Sequence, residues 1–159
     1  MSVSIEQKSS KPPRYCNGRL MAACCFCIVL LFSNTPTLAE EVVVAIKRGT
    51  PNTKPVSRYV LSAIFGMRLT TWPDGSAIRV FVLPDDNLVH ATFCKQVLQI
   101  FPHQLRNAWD RLVYSGTGQA PEVLSSELEI RTHIASTPGA IGYLTKENLD
   151  DSVAILPVE

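Results

Sequence analysis

The segment LSAIFGMRLTTWPDGSAIRVFVLP, from Leu61 to Pro84, restricts the fold more tightly than any other part of the chain. Leu61, Ile64 and Phe65 fall at helical spacing on one face, and Gly66 stands where a left-handed helix end is easiest to form. Pro73-Asp74-Gly75 then makes a turn. Proline presets φ, the aspartate side chain can bond its own backbone, and glycine accepts positive φ. Ile78 to Leu83 follows as a β-branched strand that Pro84 stops. Helix, tight turn and strand in immediate succession are one half of a layered α/β unit.

The flanking pattern repeats that alternation. Glu41 to Ile46 (EVVVAI) is a short continuous apolar run, as in a strand buried on both faces. Lys47 to Pro55 reads as a loop, and Ser57 can cap the helix after it. A helix is expected over Leu88–Phe101, with Val89, Phe93, Val97 and Phe101 as its inward stripe and Pro102 as its end. A third helix over His103–Tyr114 turns Leu105, Ala108, Trp109, Leu112 and Val113 inward. Ser115-Gly116-Thr117-Gly118 stops it. That loop lacks the lysine of a phosphate-cradling P-loop and follows a helix rather than a strand. A fourth helix spans Ser126–Ser136, with Ser126 and Glu129 as a capping box and Leu128 and Ile134 facing the core. Ala140–Leu144 and Val153–Leu156 are the last strands. The expected class is α/β, a mainly parallel sheet flanked by helices.

Residues 1–39 read as an export signal rather than as part of the fold. Arg14 and Arg19 precede the apolar run Leu20–Phe32, and Thr37-Leu38-Ala39 places small residues at a cleavage site. The run is short for a bilayer span. Cleavage after Ala39 implies a periplasmic domain over 40–159, enough for one core and not for two. That domain carries eleven Lys+Arg against thirteen Asp+Glu, a formal charge of −2. It has no basic stripe, which argues against nucleic acid as a partner. Four of the five cysteines (Cys16, Cys24, Cys25 and Cys27) lie in the leader, so Cys94 has no partner for a disulfide within the domain. It reads as a small buried apolar residue.

Asp85, Asp86, Asn87, His90 and Thr92 converge on one helix start. They can form a polar ligand site or a weak metal site, or they can be an N-cap with solvated charges. His90 and Cys94 are four residues apart and can face each other. A catalytic dyad would also need an orienting group and an oxyanion hole, which the pattern does not supply. Trp72 can stack with Arg68 on a partner or pack on the end of the sheet. No cofactor is called for.

Three segments carry a resemblance. Leu61 to Asp74 resembles the L-x-x-IF-x-G-basic-x-x-W-x-D signature of periplasmic substrate-binding proteins of the phosphate ABC-importer type. Thr137–Leu144 (TPGAIGYL) resembles their return strand, and Ala108–Ser136 resembles a stretch found in some members. The match runs from about Val42 to Val158. It implies the type II periplasmic binding protein fold and, at this length, one lobe of the two that close around an oxyanion. It implies a non-enzymatic binding protein, with a small solute or ion and a membrane transport or sensory protein as partners. In that family an Arg and a Ser-Gly-Thr loop hold phosphate at the helix after the Trp-linked strand. Here the matching loop is Leu83–Phe93, the Arg is absent, and Asp85 and Asp86 stand where the anion would sit. Two carboxylates at that distance oppose a phosphate by roughly 1 kcal/mol or more in wet surroundings. A cationic or neutral ligand, or none, suits these residues better. The alternative is an interaction module that keeps the scaffold without the ligand.

Overall fold

The computed structural model describes residues 40–50 and 54–159. The expected signal peptide lies outside the described residues. Five strands form one sheet in the order β3-β2-β4-β1-β5. They are β1 (Val42–Lys47), β2 (Arg79–Val82), β3 (Glu122–Val123), β4 (Ala140–Thr145) and β5 (Val153–Ile155). Among the described residues four α-helices accompany them: α1 (Arg58–Phe65), α2 (Leu88–Phe93), α3 (Pro102–Tyr114) and α4 (Glu127–Ser136). The class is α/β, as expected. The sheet is mixed, with β2 parallel to β3 and β4, and β1 antiparallel to β4 and β5.

Alternation along β4 decides which helices cover which face. Gly142 presents no side chain. A Cβ there would lie 2.9 Å from Ile130 Cγ2 and 3.0 Å from Ile134 Cδ1, so α4 seats directly on the strand. Tyr143 points the other way, stacks on Phe93 with ring centroids 4.0 Å apart, and lies beneath α1 and α2. Trp109 ties α3 to this layer by donating Nε1–H to the Phe65 carbonyl at 2.7 Å.

The Pro73-Asp74-Gly75 turn forms as expected, with Gly75 at φ +86°. Trp72 is buried at the sheet end and donates Nε1–H to the Gly139 carbonyl at 3.0 Å. Of its two sequence readings, the packing one holds. Ser57 caps α1 through Val60 N–H at 3.4 Å.

Several local expectations need correction. The left-handed residue after α1 is Met67, at φ +57°, while Gly66 has φ −76°. Glycine is nevertheless required at 66, because a Cβ would lie 2.7 Å from the Ser62 carbonyl oxygen. The helix expected over Leu88–Phe101 leaves α geometry at Phe93, continues as a π turn over Cys94–Leu98 and ends with Gln99 left-handed at φ +56°. Phe101 is consequently 57% exposed and stacks on His103. On α3 only Leu105 and Trp109 are fully buried, and Val113 faces solvent. On α4 the buried pair is Ile130 and Ile134, with Leu128 62% exposed. Glu129 reaches back to Ser125 rather than to Ser126.

Candidate functional site

The loop from β2 to α2 carries the five residues singled out in the sequence, and the structure sorts them into two sets. Asn87 caps α2, its Oδ1 accepting Val89 N–H at 2.8 Å. Asp85 and Asp86 lie on the exposed turn before it, and Thr92 sits half-buried on the helix. His90 points inward and is fully buried. Asp85, Asp86 and Asn87 share the helix head, Thr92 lies more than a turn further on near the helix end, and His90 belongs to the core beneath.

Asp85 is engaged by a residue the sequence reading did not single out. Arg106 on α3 grips its carboxylate through both oxygens, Nε to Oδ2 at 2.7 Å and Nη2 to Oδ1 at 2.9 Å. Such a bidentate fork is the strongest form of a carboxylate–guanidinium contact. It holds the Asp85 carboxyl below its ordinary range, the hydrogen bond from Arg106 being the main cause. Arg106 also lies over the Trp109 ring, with Cζ 4.8 Å from the centroid. The spacing of Arg106 and Trp109, three residues apart on one helix, was the available signal that this guanidinium is held in place. Asp86 makes no ion pair among the described residues.

Beneath the loop runs a buried polar chain. Leu83 N–H donates to Tyr143 Oη at 2.8 Å, and Tyr143 Oη lies 2.6 Å from His90 Nδ1. His90 Nε2 lies 3.5 Å from Cys94 Sγ and 3.8 Å from Asp85 Oδ1. Burial lowers the His90 pKa, with Asp85 opposing that shift and Arg106 adding to it. Burial likewise pushes the Cys94 thiol up to about 12 and the Tyr143 phenol upward. Cys94 is therefore a protonated thiol at neutral pH, which disfavours nucleophilic chemistry. Among the described residues, no group of three or more His, Cys, Asp or Glu is placed to hold a metal ion.

The Ser115–Gly118 loop is a helix end. Thr117 N–H and Gly118 N–H both donate to the Leu112 carbonyl, at 3.1 and 3.3 Å, with Gly116 at φ +68°.

No protein-family model matches the chain. No curated protein matches it either. Solved structures do match. An ABC-type phosphate transport receptor from Vibrio cholerae superposes with a TM-score of 0.57 at 14% identity, over 74% of this chain and 45% of the receptor. PstS from Borrelia burgdorferi superposes with a TM-score of 0.56 at 17% identity, over 74% of this chain and 47% of that one. The chain thus spans less than half the length of either. At these identities the likeness concerns architecture alone. The described domain has the fold of the phosphate-binding receptors over a part of their length consistent with one lobe.

Proposed function

We propose that this chain is an exported, non-enzymatic solute-binding-like protein of the phosphate-receptor type with a degenerate anion site. One observation carries the reading: the bidentate Asp85–Arg106 pair at the head of α2. In the phosphate-binding relatives that the sequence resembles, this helix start receives an oxyanion. Here a carboxylate of the chain itself already occupies the nearby guanidinium. A free phosphate would have to displace Asp85 and approach Asp86 as well. The site therefore suits a neutral or cationic solute. The leader read in residues 1–39 supports a periplasmic location, and the fold of the phosphate receptors supports a membrane transport or sensory protein as partner.

A second reading follows from exposed apolar residues at the starts of α2 and α3. Leu88, at the first turn of α2, is 74% exposed, and Phe101 at the head of α3 is exposed too. An interaction module that keeps the scaffold and docks this face on a protein would use them.

Calorimetric titration of the purified chain with phosphate, sulfate and divalent metal ions separates the readings. Saturable binding of a divalent cation tighter than about 10 μM, with phosphate and sulfate flat, supports the solute-binding reading. Flat titrations throughout, with a membrane transport or sensory protein retained on the immobilised chain and released by Leu88→Asp, support the interaction module. Phosphate bound tighter than about 10 μM overturns the degenerate site.

A further inference from the structure

A sizeable cavity of the described domain lies away from the α2 head. It is a groove of about 590 Å³ between the end of α1 and the length of α3. That volume falls within the range of small-molecule sites. Ile100, Leu105, Ala108 and Leu112 form its floor, and Arg68 and Arg111 stand on its rim.

The groove is independent of the Asp85 site. Five residues of α3 separate Arg106 from Arg111, which is about 140° around the helix axis. Arg106 faces Asp85, whereas Ala108, Arg111 and Leu112 share the groove face with Gln104 and Ser115. One end is walled by the turn after α3, where Ser115 Oγ and Thr117 Oγ1 are bonded at 2.7 Å and Leu112 packs against Gly118.

Its charge runs against that of the domain. The domain carries −2 over residues 40–159, yet two guanidinium groups and no carboxylate line the groove. Among the described residues neither guanidinium has an ion-pair partner. Arg68 reaches only the Ser62 carbonyl, at 3.5 Å. An open apolar floor gains from an apolar body, and a cationic rim on a groove that no carboxylate lines selects a negative head.

We infer that the α1–α3 groove binds an amphipathic organic carboxylate, its apolar body on Leu105, Ala108 and Leu112 and its carboxylate between Arg68 and Arg111. The head must be attached to an apolar tail, so inorganic phosphate does not satisfy the site. This site stands whether or not the α2 head binds a solute.

Decanoate titrated into the purified chain, read by calorimetry, tests it. The expected Kd is about 10–100 μM. Arg68→Gln and Arg111→Gln should each weaken binding at least about fivefold, and Ala108→Trp should abolish it by filling the floor. Arg48→Gln, an exposed guanidinium elsewhere, should leave it unchanged. Decanol should bind at least about tenfold more weakly than decanoate. Decanoate binding that ignores both arginine substitutions overturns the site, as does equal binding of decanol. Flat titrations with a concentration-dependent dimer in light scattering, abolished by Ala108→Trp, would assign the groove to a second copy of this chain and overturn the ligand.

Discussion

His90 and Tyr143 meet in the core, imidazole Nδ1 against phenol oxygen, at 2.6 Å. The same phenol oxygen accepts Leu83 N–H at 2.8 Å. Donation of the phenol proton to Nδ1 satisfies both atoms, and that arrangement puts the imidazole proton on Nε2, toward Cys94 and Asp85. Through this chain the central strand β4 fixes the backbone at the end of β2, where the loop to α2 begins. A binding-protein loop is here anchored from inside the lobe.

Tyr143→Phe should destabilise the domain by about 2–4 kcal/mol, because it leaves Leu83 N–H and His90 Nδ1 buried and unpaired. Adding His90→Leu should cost less than the two separate losses combined, since removing both partners relieves one orphan. Urea unfolding of the three variants measures this. Additive losses would show that the phenol and the imidazole do not interact.

Stability should fall on mild acidification through His90. Its pKa in the fold lies below the ordinary value of 6.5, mainly because of burial. The unfolded chain then binds the proton more readily than the native one. The contribution is fully present above about pH 7 and is lost as pH drops through the ordinary imidazole range, by at most about 1.4 kcal/mol per pH unit. The carboxylates of Asp74, Asp85, Glu129 and Asp150 have lowered pKa values and titrate at more acid pH. Urea midpoints at pH 7.5 and pH 5 should therefore differ for the natural chain and converge for His90→Gln. An unchanged gap in the variant would place the titrating group elsewhere.

Asp85→Asn should convert the head of α2 toward anion binding. The pair is about one-third exposed on each side, so its loss should cost under about 1 kcal/mol of stability. The released Arg106 guanidinium can then take sulfate or phosphate, with a saturable heat in the millimolar range. The double variant Asp85→Asn with Arg106→Gln should lose that heat. If Asp85→Asn gives no more signal than the natural chain, Asp85 is not what closes the site to anions.

The layered α/β class, the Trp72 turn and the cap of α1 were legible because each rests on local chemistry: a preset φ, a capping hydroxyl, a β-branched run. The length of the second helix was not. Val89, Phe93, Val97 and Phe101 repeat every four residues, and each such step overshoots an α-helical turn by about 40°. An α-helix would drift off that stripe; the chain instead takes a π turn over Cys94–Leu98 and ends at the left-handed Gln99, before Phe101 is reached. The five polar residues in and before α2 were found by proximity in sequence. Arg106, their charge partner, lies 21 residues from Asp85 and meets it only through the docking of α3. His90 looked like its polar neighbours because its inward direction depends on Tyr143, 53 residues away.

Gly139 and Gly75 separate steric from conformational demand in the turn that positions β2 against β4. Both have positive φ, +71° and +86°. A Cβ on Gly75 would meet nothing within 4 Å, whereas one on Gly139 would lie 2.1 Å from the Ala77 carbonyl oxygen. Backbone movement cannot relieve that clash cheaply. The Gly139 carbonyl accepts both Trp72 Nε1–H and Arg79 N–H, each at 3.0 Å. Gly75→Ala should cost about 1–2 kcal/mol, the ordinary penalty for a left-handed alanine. Gly139→Ala should cost about 4 kcal/mol or more, through the same strain plus the clash and two weakened hydrogen bonds. Denaturant unfolding with tryptophan fluorescence reads both stability and the Trp72 environment. Equal losses in the two variants would mean that the Trp72 turn does not dock on the Pro138–Gly139 return as described.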